Sequence, residues 1–153
     1  MIYIGADHRG YDLKNNIINI FKQKAINYLD CGNTILDLDD DYPDFAFIVG
    51  ENVAKDKVLN KDSIGILICR SGEGMTIAAN KVKGIRAALC HNIESAHLSR
   101  EDNNANILVL DCLSSIDVVL HITEEFVNTE FSTAPRHLRR VLKITNYENK
   151  FMK

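Results

Sequence analysis

The stretch SIGILICRSGEGMTIAANKVKGIRAA, residues 63–88, decides the reading of this chain. Ile64 to Cys69 is an apolar run interrupted only by Gly65, the pattern of a strand covered on both faces in a parallel sheet. Arg70, Ser71, Gly72, Glu73 and Gly74 follow. The two glycines let the backbone approach a ligand closely, and Ser71 is placed to cap a helix running through Met75, Ile77, Ala78 and Val82. Unpaired N–H groups at that helix start form a nest for phosphate, carboxylate or enolate oxygen alike, so the pattern predicts an anion without choosing its chemistry.

Cys69 narrows the chemistry. A thiol at the carboxyl end of a strand, beside a helix N-terminus and an arginine, is expected to ionise easily, with its pKa falling from about 8.5 toward ~7. One unit of such a fall raises the neutral-pH thiolate about tenfold, worth ~1.4 kcal/mol. The competing reading is a small apolar side chain that simply ends a buried strand.

Working outward, Met1 to Gly5 reads as a first strand. Ala6-Asp7-His8-Arg9-Gly10 is then a polar turn, and Leu13, Ile17, Ile20 and Phe21 recur at helical spacing. The turn sets an acid, an imidazole and a guanidinium at a strand's carboxyl end, where open α/β sheets place ligands; a solvated loop with an Asp cap is the alternative. Ala25 to Asp30 is a second strand, and the acidic loop Asn33 to Asp41 lacks the Gly and Glu of a calcium loop, so it is read as solvated. Tyr42-Pro43 opens a helix, with Tyr42 near the sheet's carboxyl edge. Ile85 to Leu89 is a fourth strand, Asn92 to Glu101 a helix broken at Asp102-Asn103-Asn104, and Ile107 to Leu110 a fifth strand. Ser114 or Ser115 then caps a further helix. From Thr133 the chain turns basic; Arg136 and Arg140 are four apart, a fork for a phosphate if helical, or else part of a solvated tail. Strands alternating with helices predict one α/β domain over residues 1–153, a three-layer sandwich with helices on both faces of a parallel five-stranded sheet.

Composition bounds the partners. Eighteen basic residues face 21 acidic ones, a net charge of −3, which offers no surface for nucleic acid or an anionic membrane. No apolar run approaches the ~20 residues of a membrane span and no secretion signal opens the chain, so a cytoplasmic protein is expected. Cys31, Cys69, Cys90 and Cys112 are widely spread, without metal or disulfide spacing.

Five segments together closely resemble ribose-5-phosphate isomerase B and the galactose-6-phosphate isomerase subunits. They are GADHRG at 5–10, DYPDFA at 41–46, GILICRSGEGMTIAANKVKGIRAALC at 65–90, SAHLSREDNNANIL at 95–108 and PRHLRRV at 135–141. The resemblance implies a flavodoxin-like sheet and a homodimer, or a dimer of dimers, in which the tail 133–153 reaches the partner and the active sites are shared, with no metal or organic cofactor. It implies that Cys69 moves the proton between C1 and C2 while Ser71 and the loop of Arg70, Gly72, Glu73 and Gly74 stabilise the enediolate. Asp7, His8, Tyr42 and Asn103 would line the sugar pocket, and Arg136 and Arg140 would bind the phosphate. An oxyanion donor is typically worth ~3–4 kcal/mol, so the loop amides are expected to matter as much as the base.

The chain also departs from the family pattern. Asp102 stands where the ring-opening histidine usually is, leaving Asp102 or His97, one turn back, for that role. Leu113 replaces a common arginine, Arg70 the first loop glycine, Ala134-Pro135 a Gly-Gly, and Met75 the position of a carboxylate base. The expected activity is interconversion of ribose 5-phosphate and ribulose 5-phosphate, in the pentose phosphate pathway. The alternatives are a hexose-6-phosphate isomerase and a sugar-phosphate-binding subunit impaired in ring opening.

Overall fold

The computed structural model describes residues 1–152. Its elements run β1 (Ile2–Ala6), α1 (Tyr11–Gln23), β2 (Tyr28–Asp30), α2 (Tyr42–Val58), β3 (Ile64–Cys69), α3 (Glu73–Ala79), β4 (Ala87–Leu89), α4 (Ile93–Asn103), β5 (Ile107–Asp111), α5 (Ile116–Asn128) and α6 (Pro135–Phe151). All four strand pairings are parallel, in the order β2-β1-β3-β5-β4. The plain doubly wound order ends 4-5; here β5 lies beside β3, which places Asp111 in register with Cys69.

The period of two along each strand sorts the core into two layers. Ile66 and Ile68 of β3, with Ile4 of β1 and Leu108 and Leu110 of β5, pack against Ile17 and Phe21 of α1 and Val119, Ile122 and Phe126 of α5. Leu67 and Cys69 point the other way, with Ile107 and Val109, onto Phe45, Val49 and Val53 of α2 and Met75 and Ala79 of α3. Each such aliphatic side chain contributes about 1.5–3 kcal/mol on burial, and the central strands are buried on both faces, which explains their unbroken apolar runs.

Four boundaries differ from the sequence expectation. β2 starts at Tyr28 because Ala25 takes a left-handed conformation (φ 53°) and the N–H of Ile26 returns to the carbonyl of Phe21, closing α1. β4 starts at Ala87 because Val82 to Ile85 close a turn around Gly84 (φ 83°). α4 continues through Asn103 and stops at left-handed Asn104 (φ 50°), so Asp102 lies inside its last turn. Neither Ser71 nor Ser115 caps through its side chain: Gly72 holds the α3 N-cap position, and Ser115 holds that of α5 with no side-chain bond. Among the described residues no helix is long and apolar enough to cross a membrane.

One buried charge organises the carboxyl edge. Lys14 of α1 is fully buried; its Nζ donates to Asp30 Oδ1 and Oδ2 at 2.8 and 2.7 Å and to the Asn33 carbonyl at 2.9 Å. Removing one partner of such a pair strands the other charge. Asp30→Ala is therefore expected to destabilise the fold by about 3–5 kcal/mol in urea melts, whereas a loss below about 1 kcal/mol would show the pair to be an exposed one.

Candidate active site

Three strand ends build the site. Asp7 follows β1, Cys69 ends β3, and Asp111 ends β5 with Cys112 just after it, the Cys112 N–H donating to the Cys69 carbonyl at 3.0 Å. Gly72 turns the chain at φ 79°, and its N–H donates to Cys69 Sγ at 3.2 Å. The N–H groups of Met75 and Ser71 face the same sulfur. A side chain at Gly72 has no room, since an added Cβ would lie 2.2 Å from Leu89 Cδ1. Tyr42 closes the loop from above: a Cβ on Gly74 would lie 2.8 Å from its ring. Ser71, Arg70 and Glu73 project into solvent at the rim.

The electrostatics correct one expectation. The Cys69 thiol is pushed up, not down: it is only 5% exposed, and burial together with the charge of Asp7 outweighs the three amides. Arg70, out in solvent, is not among the groups acting on it. Burial likewise raises Asp7, against the N–H groups of Gly10 and Arg9 that donate to its Oδ1 at 3.0 Å. His8 is held by Asp40, whose Oδ1 lies 2.7 Å from Nδ1 and accepts the His8 backbone N–H at 3.0 Å. Asn33 Nδ2 donates to the other Asp40 oxygen at 3.2 Å, so the line from Lys14 through Asn33 and Asp40 ends at the imidazole. Asp40 was read as part of a solvated acidic loop; only the folding of that loop over His8 reveals it.

Within one chain the candidate residues fall into two groups. Asp7, His8, Tyr42, Cys69 and the loop from Arg70 to Gly74 share the carboxyl edge of the sheet. Asp102 and Asn103 end α4 at the opposite edge, where the Asn103 carbonyl accepts from Arg86 Nε, just before β4. Arg136 and Arg140 belong with this second group, because His137 between them lies against Asp102, Nδ1 to Oδ1 2.9 Å. The five residues of β5 separate the two edges by roughly 13 Å. Among the described residues no cluster of three or more His, Cys, Asp or Glu side chains is arranged to hold a metal ion.

The family description Ribose/Galactose Isomerase matches residues 2–144. The chain belongs to the ribose/galactose isomerase family. A ribose-5-phosphate isomerase B from Mycolicibacterium paratuberculosis is 40% identical over 96% of this chain and 91% of its own. Among solved structures, ribose-5-phosphate isomerase B from Mycoplasma genitalium with bound ribulose-5-phosphate superposes with a TM-score of 0.90. It is 41% identical, over 97% of this chain and 96% of that one. The Clostridium thermocellum ribose-5-phosphate isomerase B follows at 0.87 and 43%, over 98% of both. This chain carries the ribose/galactose isomerase fold, with Cys69 at the strand end that opens the glycine loop.

The raised thiol gives a direct test. A group whose pKa is raised stays protonated to higher pH, so alkylation of Cys69, followed peptide by peptide by mass spectrometry, is expected to rise with a midpoint above that of an ordinary thiol. Asp7→Asn removes a negative charge and is expected to move that midpoint down. A midpoint near ~7 would contradict the burial argument and restore the expectation drawn from strand-end thiols.

Proposed function

We propose that this protein is an aldose–ketose isomerase that interconverts ribose 5-phosphate and ribulose 5-phosphate. The observation that carries the reading is Cys69 Sγ under the Gly72 N–H, in a chain that matches a ribulose-5-phosphate-bound relative over nearly its full length. The relatives reported above act, by name, on the pentose phosphate, which supports it over the hexose phosphate.

The chemistry follows from the geometry. As thiolate, Cys69 takes the proton from C2 of the open-chain aldose; the C2–H electron pair becomes the C1=C2 bond and the carbonyl pair moves onto O1. Return of the proton to C1, with transfer of the O2 proton to O1 as the O2–H electron pair becomes the C2=O2 bond, gives the ketose. The intermediate enediolate carries negative charge on oxygen, for which preorganised N–H donors are the strongest available stabilisers, at ~3–4 kcal/mol each. A raised thiol pKa makes the thiolate scarcer at neutral pH but a stronger base. Asp7, His8 and Tyr42 hold the sugar on this edge.

The phosphate contacts must come from a second copy, since Arg136 and Arg140 lie at the far edge of their own chain. We infer a homodimer in which the partner subunit's Arg136 and Arg140 enter the Cys69 site. The surface of α6 supports this: Leu138 and Leu142 are exposed on one face and Tyr147 and Phe151 on another, Tyr147 being 65% exposed, and such exposed apolar surface is what a partner chain covers. The C-terminal helix would be the docking element and the cytoplasm its setting.

Proton NMR of ribose 5-phosphate with the protein in deuterated buffer containing a chelator is expected to show ribulose 5-phosphate carrying solvent deuterium. Cys69→Ser should lower turnover by at least about a hundredfold while leaving phosphate affinity intact. Near-normal turnover by that variant would remove the thiol from the mechanism; no conversion by the unaltered protein would overturn the activity.

A further inference from the structure

A cavity of about 390 Å³ opens at the amino edge of the sheet, where β1 and β3 begin. The length of β3 holds it roughly 17 Å from Cys69. None of Asp102, Asn103, Arg136 or Arg140 lines it, so it is separate from both groups of isomerase residues. Its wall carries four cationic side chains: Lys57 in the last turn of α2, Lys61 in the loop that follows, Arg86 just before β4, and Arg100 of α4. One carboxylate, Asp62, lines it with them. None of the four cations forms an ion pair among the described residues, in a chain whose net charge is −3. Charge of one sign gathered in a recess draws the opposite sign.

Arg86 turns this basic recess into a built site. It is only 9% exposed. Its Nε donates to the Asn103 and Asn104 carbonyls at 3.0 and 2.8 Å, yet its Nη1 is buried without a hydrogen-bond partner among the described residues. Ser63 Oγ, in the same wall, is buried and unpartnered in the same way. A buried cation is costly unless an acceptor faces it. Glu148 of α6 acts on Arg86 without forming an ion pair, and it lies outside the cavity wall. Burial lowers the Arg86 pKa against that pull, and Arg100 lowers it further; burial and Arg86 together lower Lys57. The C-terminus of α2 accounts for Lys57, but no helix end accounts for a buried guanidinium. Arg100 is a second, fixed guanidinium: Nε donates to the Thr129 carbonyl at 3.1 Å, Nη1 to the Ala105 carbonyl, and the group lies 5.3 Å from the centre of the Phe126 ring.

We propose that this cavity is a second anion site, which binds a phosphate group carried on a small organic molecule. Guanidinium groups held in place suit phosphate oxygens, and four cations against one carboxylate suit a dianion better than a single carboxylate ligand. Arg86 Nη1 and the Ser63 hydroxyl donate to the phosphate, and Lys57 and Lys61, both exposed, close over it from the rim. Val53, Ile64 and Val127 give the organic part an apolar wall, and the volume falls in the range of small-molecule sites. The site holds whether or not the chain is an isomerase.

Proton–nitrogen NMR spectra of the full chain are recorded while glycerol 3-phosphate, or inorganic phosphate, is added at ionic strength held constant with chloride. Saturable shifts are expected at the Arg86 Nε–H and the Ser63 N–H, with the ester bound at least about threefold more tightly than inorganic phosphate. Chains carrying both Arg136→Ala and Arg140→Ala, which lack the phosphate contacts of the isomerase site, are expected to keep that affinity within about twofold. Lys57→Ala with Lys61→Ala, at exposed positions that do not endanger folding, should weaken binding at least about fivefold, and Arg86→Gln should abolish it. Shifts confined to residues 70–74, shifts that chloride reproduces, or full affinity in the double lysine variant would overturn the site. Inorganic phosphate bound as tightly as the ester would overturn the organic part of the ligand.

Discussion

The turn at Gly72 is the constraint on which the site depends. The chain leaves β3 at Cys69 and must start α3 within four residues, while keeping an N–H on the thiol. Only a left-handed residue makes that turn, and only one without a side chain fits beneath Leu89. The sulfur is thereby fixed against the amides and beneath the face packed on α2 and α3. The same tight burial raises its pKa, so the turn that supplies the donors also makes the thiol hard to ionise within one chain.

The strand order sets the second requirement. Because β5 lies between β3 and β4, its end brings Asp111 and Cys112 beside Cys69 while its start lies beside the end of α4. α4 runs back along the sheet, so Asp102 and Asn103 finish at the edge away from the thiol. No flexing of side chains spans roughly 13 Å of sheet. In the proposed dimer, a second copy docked on the exposed apolar residues of α6 would offer the cations to the thiol, and each copy would complete the other's site. His137, held inside by burial, keeps Asp102 and the first turn of α6 in one unit.

Much of this was legible in the sequence, and the exceptions have physical causes. The run Ile64–Cys69 announced a doubly covered strand because burial on both faces leaves no polar alternation to read. Asp7, Cys69 and the glycine loop were legible because strand ends followed by glycines have few uses. Strand order was not, since an apolar strand such as Ile107–Leu110 looks alike at any interior position. The thiol pKa was misjudged because position predicts the amides but not the depth of burial or the nearby Asp7. Asp40 and His137 were missed for a common reason: each gains its place from a partner 32 or 35 residues away, across a loop or between helices, and no local spacing records that.

The central claim is that the site is built from two chains, and mixing inactive variants tests it most directly. Cys69→Ser chains, lacking the base, are refolded together in equal amounts with chains carrying both Arg136→Ala and Arg140→Ala. Random pairing puts half of the chains' dimers in mixed form, each with one intact site, so about one quarter of the unaltered activity is expected to return. A mixture no more active than its two components would show that base and phosphate contacts belong to one chain, and would contradict the account.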